Sequence, residues 1–280
     1  MLRQKPQPVD ILILGAGWTS TFLIPQLDSA SIVHAETTTT GRDGTIPFIF
    51  DPESSNREPY KQLPSARTVL VTFPLVGLGQ SKRITSLYQT VHGSNNRWIQ
   101  LGSTEIFNQA SDWNTEDSVY DKSHARAIAE DELLTEVGGC VLNLAGLYGG
   151  KREPKNWLSR LAKSKEDIAK RKAVHFIHGE DVARAIIAVH RKPSPGKRWI
   201  IADLRVYDWY DLIMSFSALT GEESSVDAEK RLQFGKWVGE LMVEENVRAL
   251  PRSMEQLGRK LDSRGFWKFH EIWPRHSRLA

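Results

Sequence analysis

Cysteine is nearly missing: Cys140 is the only one in 280 residues. This excludes an intrachain disulfide framework and any cysteine-rich metal cluster. Cys140 sits in the apolar run CVLNLAGLY and reads as a small buried hydrophobe. No apolar stretch approaches the roughly 20 residues that cross a bilayer. The opening residues, MLRQKPQPVD, hold no hydrophobic signal core. A reducing, cytoplasmic setting with no membrane partner is therefore expected. Strong charge of one sign is missing too. The net charge of +3 is too small to argue for a nucleic-acid partner. There is no His-Glu-x-x-His, no Cys/His cluster, no Gly-x-Ser-x-Gly elbow and no Walker lysine motif. Zincin-type metal chemistry, α/β-hydrolase chemistry and P-loop nucleotide hydrolysis lose their usual carriers, and no metal site is expected. Internal repeats and long low-complexity tracts are also lacking.

What is present is a strand, a glycine turn and a helix, in that order. Ile11–Leu14 is an apolar run that reads as a buried strand, followed by Gly15-Ala16-Gly17 and the helical pattern Phe22, Leu23, Ile24 and Leu27. This is the dinucleotide-binding arrangement: glycines let the backbone turn and approach a pyrophosphate, which faces the helix N-terminus. The third glycine position of G-x-G-x-x-G is Ser20. Serine is small enough for close helix–strand packing, but the motif is degraded.

Further apolar runs alternate with helical patterns. The spacing predicts strands at Ser31–Glu36, Ile46–Phe50, Thr68–Phe73, Trp98–Leu101, Val141–Ala145 and Trp199–Ala202. It predicts helices near Thr19–Asp28, Gln80–His92, Ser118–Val137, Lys155–Ala162, Gly179–His190 and Asp208–Leu219. Near-continuous apolar strands separated by helices indicate an α/β, doubly wound, mostly parallel Rossmann sheet covered on both faces. Residues 1–202 are expected to form the NAD(P)-binding domain, with 151–173 reaching the substrate side. Residues 203–280 are expected to be a small helical C-terminal part of the same unit, with no strand signal from Gly221 to Ala280. The segment 151–172 is locally basic. It is either a solvated helix face or a cationic rim that attracts an anionic cofactor or substrate.

Five stretches carry a family resemblance: the glycine turn, LGSTEIF, the Ala127–Leu134 helix, LNLAGLYGGKREP and VHFIHGEDVARAIIAVH. In this order they resemble the extended short-chain dehydrogenase/reductase superfamily, in its NAD-dependent epimerase/dehydratase-like branch. The tryptophan after the second glycine and the short chain look like an atypical subgroup. The resemblance implies a nicotinamide cofactor, a small-molecule carbonyl or alcohol substrate, and homodimerisation through two helices. It places the cofactor against Gly15, Gly17, Trp18, Thr19, Phe73 and Pro74, with Asp51 on the adenine side. Asp51 equally suits a turn cap beside Pro52. Arg42 sits like the arginine that follows the second strand in similar proteins. A guanidinium can grip a 2′-phosphate, which favours NADP over NAD.

The family's chemistry needs a Ser or Thr hydroxyl and a Tyr with a Lys four residues on. The lysine lowers the tyrosine pKa and holds the ribose. Ser103 and Thr104 stand at the strand end that supplies the hydroxyl, unless they only cap the turn. Tyr120 is the candidate tyrosine, but position +4 is His124. His124 is either a titrating acid–base or a solvated residue. A second alignment, anchored on Glu130, puts Lys122 in the tyrosine place and Arg126 in the lysine place. Neither frame restores Tyr-x-x-x-Lys. Three readings follow: an oxidoreductase or epimerase/dehydratase-like enzyme with a non-standard site, a protein that holds NADP without turnover, and a redox-neutral isomerase or lyase.

Overall fold

The expectations were compared with a computed structural model that describes residues 6–110, 112–157, 163–218, 225–277 and 279. The strands are β1 (Val9–Leu14), β2 (His34–Thr38), β3 (Ile46–Pro47), β4 (Ala66–Val71), β5 (Arg97–Ser103), β6 (Trp113–Asn114) and β7 (Cys140–Leu144). They continue as β8 (Gly146–Tyr148), β9 (Ala173–Val174), β10 (Phe176–His178), β11 (Arg198–Ile201), β12 (Tyr207–Asp208) and β13 (Lys260–Leu261). The first four helices are α1 (Ser20–Ser29), α2 (Glu58–Lys61), α3 (Gln80–His92) and α4 (Ala125–Val137).

Seven strands form one sheet in the order β11-β7-β5-β4-β1-β2-β3. Every neighbouring pair is parallel. This is the doubly wound α/β arrangement, and its order reverses between β1 and β4. Ligands in such sheets lie beyond the strand C-terminal ends at that reversal. The alternation of β1 explains why its Ile11–Leu14 stretch is apolar throughout. Ile11 and Ile13 pack on one face with Leu23, Leu27 and Ile186. Leu12 and Leu14 pack on the other with Val69, Ile84 and Tyr88. Ile11, Leu12, Ile13 and Leu14 are all fully buried, as a sheet covered on both faces requires.

Several expected elements change. The helix expected from Ser118 begins at Ala125. His124 caps it, Nδ1 accepting from the Arg126 amide at 3.2 Å, so Tyr120 and Lys122 precede the helix. The strand expected over Ile46–Phe50 ends at Pro47, on the sheet edge where a missing N–H is tolerated. Pro154–Trp157 is a short 3-10 turn rather than the start of a helix, and residues 158–162 and Leu219 lie outside the described residues. The C-terminal part does contain a strand: β13 pairs in parallel with β6.

The helices Trp209–Ser217 and Ser225–Glu244 build a separate apolar cluster with Tyr148, Ile168 and Phe176. That cluster stands beside the end of β7. The helix Arg264–His270 returns to the main sheet, where Trp267 Nε1 donates to the Ala202 carbonyl at 3.0 Å.

Candidate functional site

The turn after β1 is clamped before any ligand is considered. Gly15 adopts a left-handed φ of +94°, and a Cβ there would lie 2.9 Å from both Phe73 and Thr72. Only glycine fits that conformation and that space. The Gly15 amide donates to Thr37 Oγ1 at 3.0 Å, and Thr72 Oγ1 donates to the Leu14 carbonyl at 3.1 Å. At Gly17 a Cβ would meet nothing nearer than the Gly15 carbonyl at 4.0 Å, so the turn's outer side is open. The amides of Trp18 and Thr19, at the start of α1, have no hydrogen-bond acceptor among the described residues. Free amides at a helix N-terminus, beside an open glycine, form an anion cradle. Ser20, at the degraded third position, is buried at the first turn of α1.

The cleft above this turn has a volume of about 580 Å³. Gly15, Gly17, Trp18 and Thr19 form one wall, with Phe73 and Pro74 beside them. Arg42 stands at the β2 side, where Thr38 Oγ1 accepts from the Gly41 amide at 2.9 Å and holds the loop. Its guanidinium reaches toward the Ala16 carbonyl at 3.4 Å. Across the cleft are Ser103, Arg126 and Arg152. Arg152 lies over the Trp18 ring at 4.4 Å, and Trp18 Nε1 donates to the Gly149 carbonyl at 3.2 Å. Among the described residues the lining thus holds three guanidinium groups and no carboxylate, which suits an elongated polyanion.

Arg126 owes its position to a buried network behind the cleft. Its Nη2 donates to the Leu101 carbonyl at 2.8 Å. One turn further along α4, Glu130 is fully buried. Its carboxylate accepts from the Ser103 amide at 3.2 Å and from Asn143 Nδ2 at 2.8 Å, and it is ion-paired to Arg198. Arg198 also donates to Asp131 at 2.7 Å. A Cβ on Gly102 would lie 2.5 Å from both Asn143 and Glu130, so a glycine is needed where the network meets β5.

Other expected site residues point elsewhere. Tyr120 does not line the cleft: its hydroxyl donates to Asp131 Oδ1 at 2.7 Å, and its ring lies 4.5 Å beneath the Arg198 guanidinium. Burial, then the Asp131 hydrogen bond, raises its pKa. A general base needs the opposite shift. Thr104 is buried and donates to the Leu144 carbonyl at 3.2 Å. His124 caps α4 and lies 4.0 Å from Glu105. Lys122 is exposed and Asp51 is an exposed turn cap, accepting from the Glu53 amide at 2.9 Å. None of Tyr120, Thr104, His124, Lys122 or Asp51 lines the cleft. Ser103 does, and its Oγ accepts from the Glu105 amide at 3.2 Å. Arg152 was not singled out by the sequence, although the cationic-rim reading of segment 151–172 contained it.

No protein-family model and no curated protein sequence matches the chain. Solved structures do. Vestitone reductase from alfalfa matches with 16% identity and a TM-score of 0.61, over 93% of this chain and 91% of that one. A protein from Methylobacillus flagellatus assigned as an NAD-dependent epimerase/dehydratase matches with 14% identity and a TM-score of 0.61, over 96% and 94%. Yeast methylglyoxal/isovaleraldehyde reductase, solved with NADPH, matches with 11% identity and a TM-score of 0.58, over 95% and 94%. The chain therefore shares the α/β Rossmann-type fold of these two reductases and of the epimerase/dehydratase-like protein. Among the described residues, no helix is long and apolar enough to cross a membrane.

Proposed function

We propose that this protein binds NADP(H) in the cleft between β1, β4 and β5, and holds it without the Tyr–Lys proton relay common on this fold. The observation that carries the reading is the lining itself: among the described residues, three arginines around an open glycine turn, with no tyrosine, lysine, histidine or carboxylate. Gly17 and the free amides of Trp18 and Thr19 would take the pyrophosphate, with Arg152 closing over it. Arg42 would meet the 2′-phosphate, and Arg126 the nicotinamide-side ribose. When bound, the nicotinamide supplies hydride chemistry. A guanidinium at this place offers fixed N–H donors to the ribose rather than a proton relay. Tyr120 is tied to Asp131 outside the lining.

Ser103 favours a second reading, reduction of a small carbonyl compound. Its hydroxyl lines the cleft, where it can hydrogen-bond a carbonyl oxygen while water supplies the proton. The two readings separate in one experiment. NADPH should raise the melting temperature, while its absorbance at 340 nm stays constant across a broad panel of aldehydes and ketones. Reproducible NADPH consumption, lost in Ser103→Ala, would establish the second reading instead.

A further inference from the structure

A cavity of about 840 Å³ opens between α1, the Gly179–Arg191 helix and the C-terminal segment. It shares no lining residue with the dinucleotide cleft. Phe22 and Ile272 give it an apolar wall. Four cations, Arg184, Arg191, Lys192 and Arg275, surround it against one carboxylate, Glu180. Glu180 faces His276 at 2.8 Å. Arg184 is engaged by Asp181 at 2.9 Å, and Lys192 by the Phe269 carbonyl at 2.6 Å. Arg191 and Arg275 are exposed, and their guanidinium groups have no hydrogen-bond or ion-pair partner among the described residues. Two cations are thus left over at the mouth.

A second, independent feature lies in the same cavity. His270 lines it and is only 8% exposed, yet neither ring nitrogen has a hydrogen-bond partner among the described residues. The ring is wedged against Phe266 at 4.5 Å and Phe269 at 4.9 Å between centroids. Burial, aided by Lys192, pushes its pKa down to about 4, so at neutral pH it offers one N–H donor and one lone pair. Buried polar groups in folded proteins almost always have a partner. This one borders a cavity large enough to bring one.

We propose that this cavity is a second ligand site, taking an amphipathic organic anion. The apolar body lies against Phe22 and Ile272, the anionic head meets Arg191 and Arg275, and a polar atom of the body meets a ring nitrogen of His270. The site is independent of the dinucleotide reading. It is tested with 1-anilinonaphthalene-8-sulfonate, by fluorescence on the full chain, with octanoate as competitor. The probe should bind, octanoate should displace it, and saturating NADPH should not. The exposed double variant Arg191→Gln/Arg275→Gln should weaken binding about tenfold or more, as expected for losing charge-assisted bonds. His270→Phe should weaken it as well. Should that variant fail to fold, the ring 15N signals of His270 in the unaltered protein must shift as the probe is added. No binding, displacement by NADPH, undiminished affinity in the double arginine variant, or unmoved His270 signals would each overturn the proposal.

Discussion

Replacing Glu130 tests whether the cleft wall depends on the charge network behind it. The carboxylate is fully buried and satisfies the Ser103 amide, Asn143 and the Arg198 guanidinium together. In Glu130→Ala, Asn143 keeps an acceptor, the Ser103 carbonyl at 3.0 Å, and Arg198 keeps Asp131 at 2.7 Å. The Ser103 amide loses its acceptor, and the buried Arg198 guanidinium loses its ion pair with Glu130, keeping Asn143 Oδ1 at 3.1 Å beside Asp131. Removing one partner of a buried ion pair costs about 3–5 kcal/mol, because the remaining charge stays buried. For a chain of this size that is a fall of about 6–20 °C in melting temperature. Urea denaturation followed by circular dichroism measures it. The double variant Glu130→Met/Arg198→Met should recover part of the loss, since an apolar pair removes the stranded charge. A loss below about 1 kcal/mol in Glu130→Ala, or strict additivity of the two changes, would refute the reasoning.

Two further outcomes are expected. Tyr120→Phe removes the hydroxyl bonded to Asp131; it should cost about 1 kcal/mol of stability and leave the NADPH dissociation constant unchanged by calorimetry, whereas a large loss of affinity would return Tyr120 to the site. His175 is buried, and its Nε2 accepts from the Leu261 amide at 3.0 Å. Burial, then the charges of Arg259 and Lys260, lowers its pKa to about 3. The folded state then binds fewer protons than the unfolded state below about pH 6.5. This contribution is complete above that pH and is lost as the pH falls toward 3, so the stability of His175→Gln should fall less steeply over that window in chemical denaturation. An equally steep fall would contradict the assignment.

The sheet was legible because its strands are long apolar runs buried on both faces. In β1, Ile11 to Leu14 leave no other reading once Gly15 follows. The glycine turn between β1 and α1 was legible because glycine spacing is local. Tyr120 was misplaced because its partner is tertiary. Nothing near Tyr120 in sequence announces Asp131, eleven residues on, or Arg198 on the neighbouring edge strand. The helix expected from Ser118 starts late because His124 caps it through its side chain, a role better known for Ser, Thr, Asp and Asn. The β6–β13 pair is too short for any periodicity to reveal. Arg152 enters the cleft only because Gly149 and Trp18 bring the β8 turn over α1. The frame anchored on Glu130 did place Arg126 in the lysine position, and Arg126 lines the cleft.

Dinucleotide binding and the role of Arg42 are open to one direct measurement. Calorimetric titration of the full chain with NADPH and NADH, repeated on Arg42→Ala, tests both. The prediction is that NADPH binds more tightly than NADH by about tenfold, the scale of one exposed charge-assisted contact. The preference should vanish in the variant while NADH affinity stays level. Absence of binding by either dinucleotide, or an NADPH preference that survives the loss of Arg42, would contradict it.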